Sequence, residues 1–329
     1  MAEAAGVAPP ARAVTTKAFC IGGRDPERAE SMLREAVELA LGEGDRREAA
    51  TALINRRLLL SRQAGPRRGR DALREQHRAV RDLGLVPNGA LPAWEDPDNL
   101  YELGLWDDAV REAEQLLVRW RPRGSGDIAE LEIAVLRVTL ARGAEVHEAD
   151  LDRAEAAARD DTRPLADFAG VLGLAHVGSG DRVAARRLLE DALAGPGGDE
   201  PGNDDGPALV KLALALGDRR RAELAAAASD GDETLYRTNG IWARALLLEA
   251  DGRPAEALPL LRQAADTFGA HDWVVRSIEA TTDLGRCELA AGEGDAGIAH
   301  LLEARAAWEG LGANARIAEI DALLERFRG

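Results

Sequence analysis

Lysine is almost missing: Lys17 and Lys211 are the only two in 329 residues, so nearly all positive charge is arginine. That bias is read first as codon usage in a GC-rich genome rather than as chemistry. Aromatic residues are also few, 4% of the chain against 46% apolar overall, so any core is built mainly from Ala, Leu and Val. Such small side chains suit close helix packing, and Ala and Leu are among the best helix formers. No alternating apolar pattern marks a strand. The two cysteines, Cys20 and Cys287, are far apart and have no ligand-like spacing. The expectation is no disulfide and a reducing compartment. No apolar run approaches the roughly 18 to 20 residues needed to span a bilayer. Met1, Ala2 and Glu3 do not open a signal peptide, and the expected location is cytoplasmic.

The formal net charge is −16, with a pI near 4.9. A phosphate backbone is bound largely through Lys and Arg, so this balance disfavours nucleic acid as a partner and points to a protein or peptide, with no membrane. One segment departs from the acidic background. Between Arg56 and Arg81 lie nine arginines against Asp71 and Glu75, a local charge near +7. The patch comprises Arg56, Arg57, Arg67, Arg68, Arg70, Arg74, Arg78 and Arg81, with Arg62 among them. Arginine suits bidentate carboxylate contacts, which makes an acidic protein or peptide one candidate there; solvated helix faces paired with acidic neighbours are the plainer account.

A repeat organises the rest. Gly252 is followed by Ala257, Leu261, Ala264 and Phe268, and Gly292, 40 residues later, by Gly297, Leu301, Ala304 and Trp308 at the same offsets. Gly180 repeats them with Ala185, Leu189 and Ala192, and a small residue precedes each glycine by seven: Gly173, Ala245 and Gly285. Small anchors recur at 29, 72, 109, 154, 185, 222, 257 and 297, where facing helices must approach closely. The spacing predicts an all-α fold, an α-solenoid of about seven to eight antiparallel helical hairpins. Residues 1–12 read as a disordered leader, 13–194 as N-terminal repeats, 195–207 as a flexible acidic Gly/Pro loop, and 208–329 as C-terminal repeats with a capping helix, all one continuous solenoid. Three prolines between Pro87 and Pro97 predict a short or displaced first helix there.

The set Ala245, Gly252, Ala257, Leu261 and Ala264, with its equivalents, resembles the tetratricopeptide repeat (TPR), as does the turn Gly104-Leu105-Trp106-Asp107-Asp108-Ala109. The run Ala304 to Phe327 is similar to the end of the repeat arm in large bacterial ATP-dependent transcription activators of the maltose-regulator type. The resemblance implies a right-handed superhelix whose concave face binds peptides or proteins.

Other chemistry is weighed and set aside. Gly292, Gly294 and Gly297 spell a dinucleotide pattern, but a helix precedes them where a strand is required. Leu151 stands where His147-Glu148 would need a second zinc-binding histidine, and neither lysine completes a P-loop. Asp199, Glu200, Asp204 and Asp205 lack the order of a calcium loop. Trp94, Trp106 and Trp120 fall close together, Trp106 in the aromatic place of a repeat turn. No cofactor, metal or catalytic residue is expected. By helical spacing and family position, the groove residues are Asn55 with Arg62, Asn239 with Trp242, and Thr282 with Arg286. The expected function is a non-enzymatic, regulatory protein-binding scaffold. A peptide-signal receptor is the alternative, and a nucleotide or metal sensor or an enzyme with an unrecognised pocket is the rival from another class.

Overall fold

The structure is a computed structural model that describes residues 10–83, 95–121, 128–161, 165–195 and 204–328. Among these residues there are seventeen α-helices and no strand. Four hairpins come first: α1 (Ala11–Ile21) with α2 (Pro26–Gly42), α3 (Arg46–Ala64) with α4 (Pro66–Leu83), α5 (Glu95–Glu102) with α6 (Trp106–Trp120), and α7 (Ile128–Arg142) with α8 (Glu148–Asp160). Four more follow: α9 (Ala166–Ser179) with α10 (Arg182–Ala194), α11 (Gly206–Ala215) with α12 (Arg219–Ala228), α13 (Thr234–Ala250) with α14 (Pro254–Ala270), and α15 (Val274–Ala291) with α16 (Gly294–Leu311). The last helix, α17 (Asn314–Arg328), has no partner of its own. The fold is TPR-like.

The anchor positions do what their size requires. Ala29, Ala109, Ala185, Ala222 and Ala257 are completely buried, and Ala72 and Ala154 nearly so. At Gly285 and Gly297 the backbones of α15 and α16 touch: a Cβ on Gly297 would stand 2.7 Å from the Gly285 carbonyl oxygen. The hairpin turns at Gly104, Gly143, Gly180, Gly217, Gly252 and Gly292 all carry positive φ, the left-handed conformation that ends a helix at least cost in glycine. The short α5 begins just before Pro97, where the first turn tolerates a missing donor; Pro87 and Trp94 lie outside the described residues, as do Asp199 and Glu200.

Odd-numbered helices line the inside of the superhelix, and the coil turns far enough to meet itself. Helices α13, α15 and α17 pack against α3, α5 and α7. Part of this seam is apolar: Leu100, Tyr101 and Trp106 share one core with Val275, Ile278 and Trp308. Trp106 and Trp308 lie with ring centroids 6.0 Å apart, and Tyr101 stacks on Trp106. The rest is polar. Arg67 meets Asp272 at 2.9 Å, Arg24 meets Asp232 at 2.9 Å, and Gln63 accepts from the backbone and hydroxyl of Thr234. Gly65 makes the closest approach, since a Cβ there would sit 1.7 Å from the His271 carbonyl oxygen.

Cys20 is exposed and Cys287 buried, both as free thiols. Among the described residues, no helix is long and apolar enough to cross a membrane.

Candidate binding site

Closure of the coil turns the concave face into a chamber. One cavity of the chamber, about 330 Å³, lies between α3, α5, α7, α9 and the start of α13 and α15. Leu58, Ile133, Phe168, Leu235 and Trp273 form its apolar wall. Arg62, Arg137 and Arg276 face Asp98, Glu102, Glu130, Asp167 and Asp204 across it, with Ser61 and Asn99 between. Arg62 and Asp204 are 28% and 38% exposed and stand at the rim. A second cavity of about 230 Å³ shares Glu102, Arg137 and Arg276 with the first and continues to Lys211, Glu279 and Arg316. Its floor is apolar, from Leu140, Val171, Leu174 and Val275.

The partition between the two cavities is a buried charge cluster assembled from four parts of the chain. Arg276 donates to Glu102 at 2.9 Å and to Asn239 at 3.3 Å. Arg137 lies 3.2 Å from Asp98 and 3.6 Å from Asp205. Asp205, just before α11, accepts from the backbone N–H of Val171 at 3.1 Å. Gly170 makes that approach possible, because a Cβ there would fall 2.5 Å from the Asp205 carboxylate. Burial pushes the Glu102 carboxyl up to about 7 against the pull of Arg276, and Asp205 to about 6 against Arg137 and Arg276. Burial opposes the Arg137 charge, but Asp205 and Asp98 outweigh it and hold its pKa above the usual value.

The residues expected from helical spacing fall into three places. Arg62 lies on the chamber wall, 3.6 Å from Asp204 and 3.8 Å from Glu233, with its guanidinium 5.1 Å over the Tyr236 ring. Asn239 is fully buried and ties the Asp204 backbone to Arg276. Asn55 lines a small niche beside Arg62, with Phe19 and Leu33. Trp242 and Arg286 converge on Asp283: the indole N–H donates to it at 2.9 Å and Arg286 at 3.0 Å, while Lys211 approaches it to 3.0 Å. Thr282 accepts from the Trp308 indole at 3.4 Å.

The arginine run divides by burial. Arg56 and Arg57 are buried, and Arg56 bridges Glu30 at 2.8 Å and Glu75 at 2.6 Å. Arg67 belongs to the seam through Asp272, and Arg70 is half-buried. Arg68, Arg74, Arg78 and Arg81 are exposed on α4; Arg74 meets Asp71 at 3.3 Å and Arg81 meets Asp82 at 3.5 Å.

Glu102, Arg137 and Arg276 escaped sequence reasoning, and Asp205 entered it only as part of an acidic loop. One signal was present: Arg137 interrupts the apolar stretch 133–138 of α7, and a charge on a helix buried on most sides needs partners. Which partners follows only from closure of the coil. Among the described residues, no three His, Cys, Asp or Glu side chains are placed to hold a metal ion.

No protein-family profile matches the chain, and no curated protein sequence does. Among solved structures, the human IFIT1 dimer with PPP-AAAA matches over 88% of this chain and 71% of that one, with a TM-score of 0.44 and 13% identity. That structure holds the oligonucleotide PPP-AAAA, and the expectation that nucleic acid is disfavoured as a partner of this chain does not stand. The physical reason is that net charge is summed over the whole surface. The chamber wall nonetheless carries Arg62, Arg137 and Arg276, and Lys211 and Arg316 line the adjoining cavity.

Proposed function

We propose that the chain is a non-enzymatic binding scaffold that receives a peptide in the closed chamber rather than along an open concave face. The observation that carries this reading is the composition of the chamber wall. An apolar side from Leu58, Ile133, Phe168 and Leu235 faces guanidiniums, carboxylates and the amide of Asn99. A peptide presents all three matching chemistries at once: apolar side chains, backbone hydrogen-bonding groups and charged termini. A volume of about 330 Å³ accommodates a few residues, so a short peptide or the end of a longer one is the fitting ligand. Arg62 is the groove residue with the most direct part, since it stands at the rim of the chamber.

A regulatory role is supported by the resemblance of Ala304 to Phe327 to the repeat arm of transcription activators, and by the seam. A ligand in the chamber touches α3, α5 and α7 from one end of the coil and α13 and α15 from the other. Binding would favour the closed coil over an open one, which is the behaviour of a peptide-signal receptor.

The test is capture of peptides from a random array by the purified chain and by Glu130→Trp, which places a bulky ring on the chamber wall. Capture that the plug abolishes while helicity and melting temperature persist is the expected result. Capture indifferent to the plug would move the site elsewhere. Binding of a short single-stranded RNA, with no peptide bound, would replace the peptide with a nucleic-acid ligand.

A further inference from the structure

The chain divides by charge at the end of α4. Residues 11–83 carry 16 Lys and Arg against 11 Asp and Glu, a net of +5, whereas residues 84–329 carry 26 against 46, a net of −20. The positive excess comes from the run Arg56 to Arg81. Two parts so charged attract each other over a longer range than single ion pairs do, and salt weakens the attraction.

The same two parts divide by core. The apolar cores within α1 to α4 gather residues of those helices alone, such as Ala18 with Leu33 and Leu59, or Val14 with Ala36 and Ala52. The cores that bind α5 to α17 together draw no residue from α1 to α4, and the one around Trp106 and Trp308 extends from α5 to α17. Polar contacts cross the boundary instead. Arg24 meets Asp232 and Arg67 meets Asp272, both at 2.9 Å; Ser61 donates to Asn99 at 2.9 Å, and Gln63 accepts from Thr234. Both ion pairs are exposed, 81% and 63% for the first and 65% and 43% for the second. Exposed pairs hold weakly, and a polar boundary between separately packed units favours relative motion. The docked position is nonetheless a defined one, since Gly23 fits so closely that a Cβ on it would lie 2.4 Å from the Asp232 Cβ.

We propose that α1 to α4 form a lid, held shut by charge, that swings as one body to open the first cavity. The role given to the lid rests on the chamber being the binding site. Leu58, Ser61 and Arg62 are the lid's share of that cavity wall, whereas the second cavity is lined only by residues from Tyr101 onward. Opening therefore uncovers Ile133, Phe168 and Leu235 for an incoming ligand and leaves the second cavity enclosed as before. A ligand that touches Leu58 and Arg62 on the lid and Phe168 on the body favours the shut position. The arginine run thus acts through the whole lid rather than as a separate docking patch.

The test uses pulsed electron double resonance on the full chain, with nitroxide labels on the exposed Cys20 of the lid and on Val183→Cys, an exposed position of the body; Cys287 is buried. A second pair, Val183→Cys with Leu302→Cys in a Cys20→Ser background, lies within the body. The expected result is two distances for the lid pair, the longer one growing roughly threefold as salt rises from about 0.05 M to about 0.5 M. At low salt, Arg24→Ala with Arg67→Ala should produce the same growth, and the body pair should keep one distance throughout. A single lid-pair distance that neither salt nor the double variant moves would overturn the lid, even where peptide capture shows the chamber to be real. A body pair that shifts as much as the lid pair would overturn it too, because the whole coil would then be breathing. A lid that moves in a chain capturing no peptide would overturn its role as the gate of a binding chamber.

Discussion

The guanidinium of Arg276 donates to the carboxylate of Glu102 at 2.9 Å across 174 residues of chain. That bond exists because the superhelix closes on itself, bringing α15 against α5. In an open solenoid each repeat contacts only its neighbours, and stability is a sum of local terms. Here the two ends of the coil also hold each other, and the contacts that close it are the ones that shape the chamber.

The apolar seam should respond most to Trp308→Ala. Trp308 is 1% exposed and packs on Trp106. Truncating a buried aromatic costs about 3–5 kcal/mol. Thermal unfolding measures the loss, and small-angle scattering should show a larger radius of gyration as the coil opens. A variant that melts lower but keeps its dimensions would mean that the polar contacts alone hold the closure.

Two glycines with positive φ should behave differently, the more so because Gly65, with ψ 171°, also lies in a region open essentially only to glycine. Gly252 has φ 73° and open space where a Cβ would go, so Gly252→Ala should cost only about 1–2 kcal/mol for the left-handed conformation. Gly65 has φ 92° and would push a Cβ to within 1.7 Å of the His271 carbonyl, so Gly65→Ala should cost more and loosen the seam. Equal melting shifts for the two would show that the approach at Gly65 relaxes freely.

Stability between pH 4 and 7 should carry a falling component from the chamber. Glu102 and Asp205 bind a proton more tightly in the folded chain, to about 7 and about 6, than in the unfolded one. Native protein therefore holds more protons in this window, and stability declines as pH rises through it. Glu102→Gln removes one such group, and its denaturant midpoint should fall less steeply from pH 4.5 to 7. An unchanged slope would remove Glu102 from the titration.

Asp283 should behave in the opposite sense. Burial disfavours its charge, yet Lys211 and Arg286, with the Trp242 indole, hold it below the ordinary carboxylate range. Its contribution is present above the unfolded value near about 4 and is lost as pH falls through the lower folded value. Asp283→Ala removes a partner of Lys211 and leaves Arg286 with Glu249, and should cost about 1–3 kcal/mol. A loss below about 1 kcal/mol, read by urea unfolding at pH 7, would mean that those two charges find other partners.

The helical hairpins were legible because they rest on local chemistry. Ala257, Leu261 and Ala264 after Gly252, and Gly297, Leu301 and Ala304 after Gly292, encode a turn and a packed face within a few residues. The groove was legible only in part. Helical phase places Arg62 and Asn239 on inward helices, but it is silent about Asp204, to which both turn out to be joined.

Glycine and alanine spacing, together with the scarcity of aromatic and β-branched residues, determined by itself an all-α repeat array with its turns in register. Only the tertiary structure decided that the array closes, because closure depends on the small rotation between hairpins summed over the whole coil. The same sum decided that Glu102, Arg137, Asp205 and Arg276, drawn from α5, α7, the start of α11 and α15, share one buried cluster. No short stretch of sequence encodes that sum.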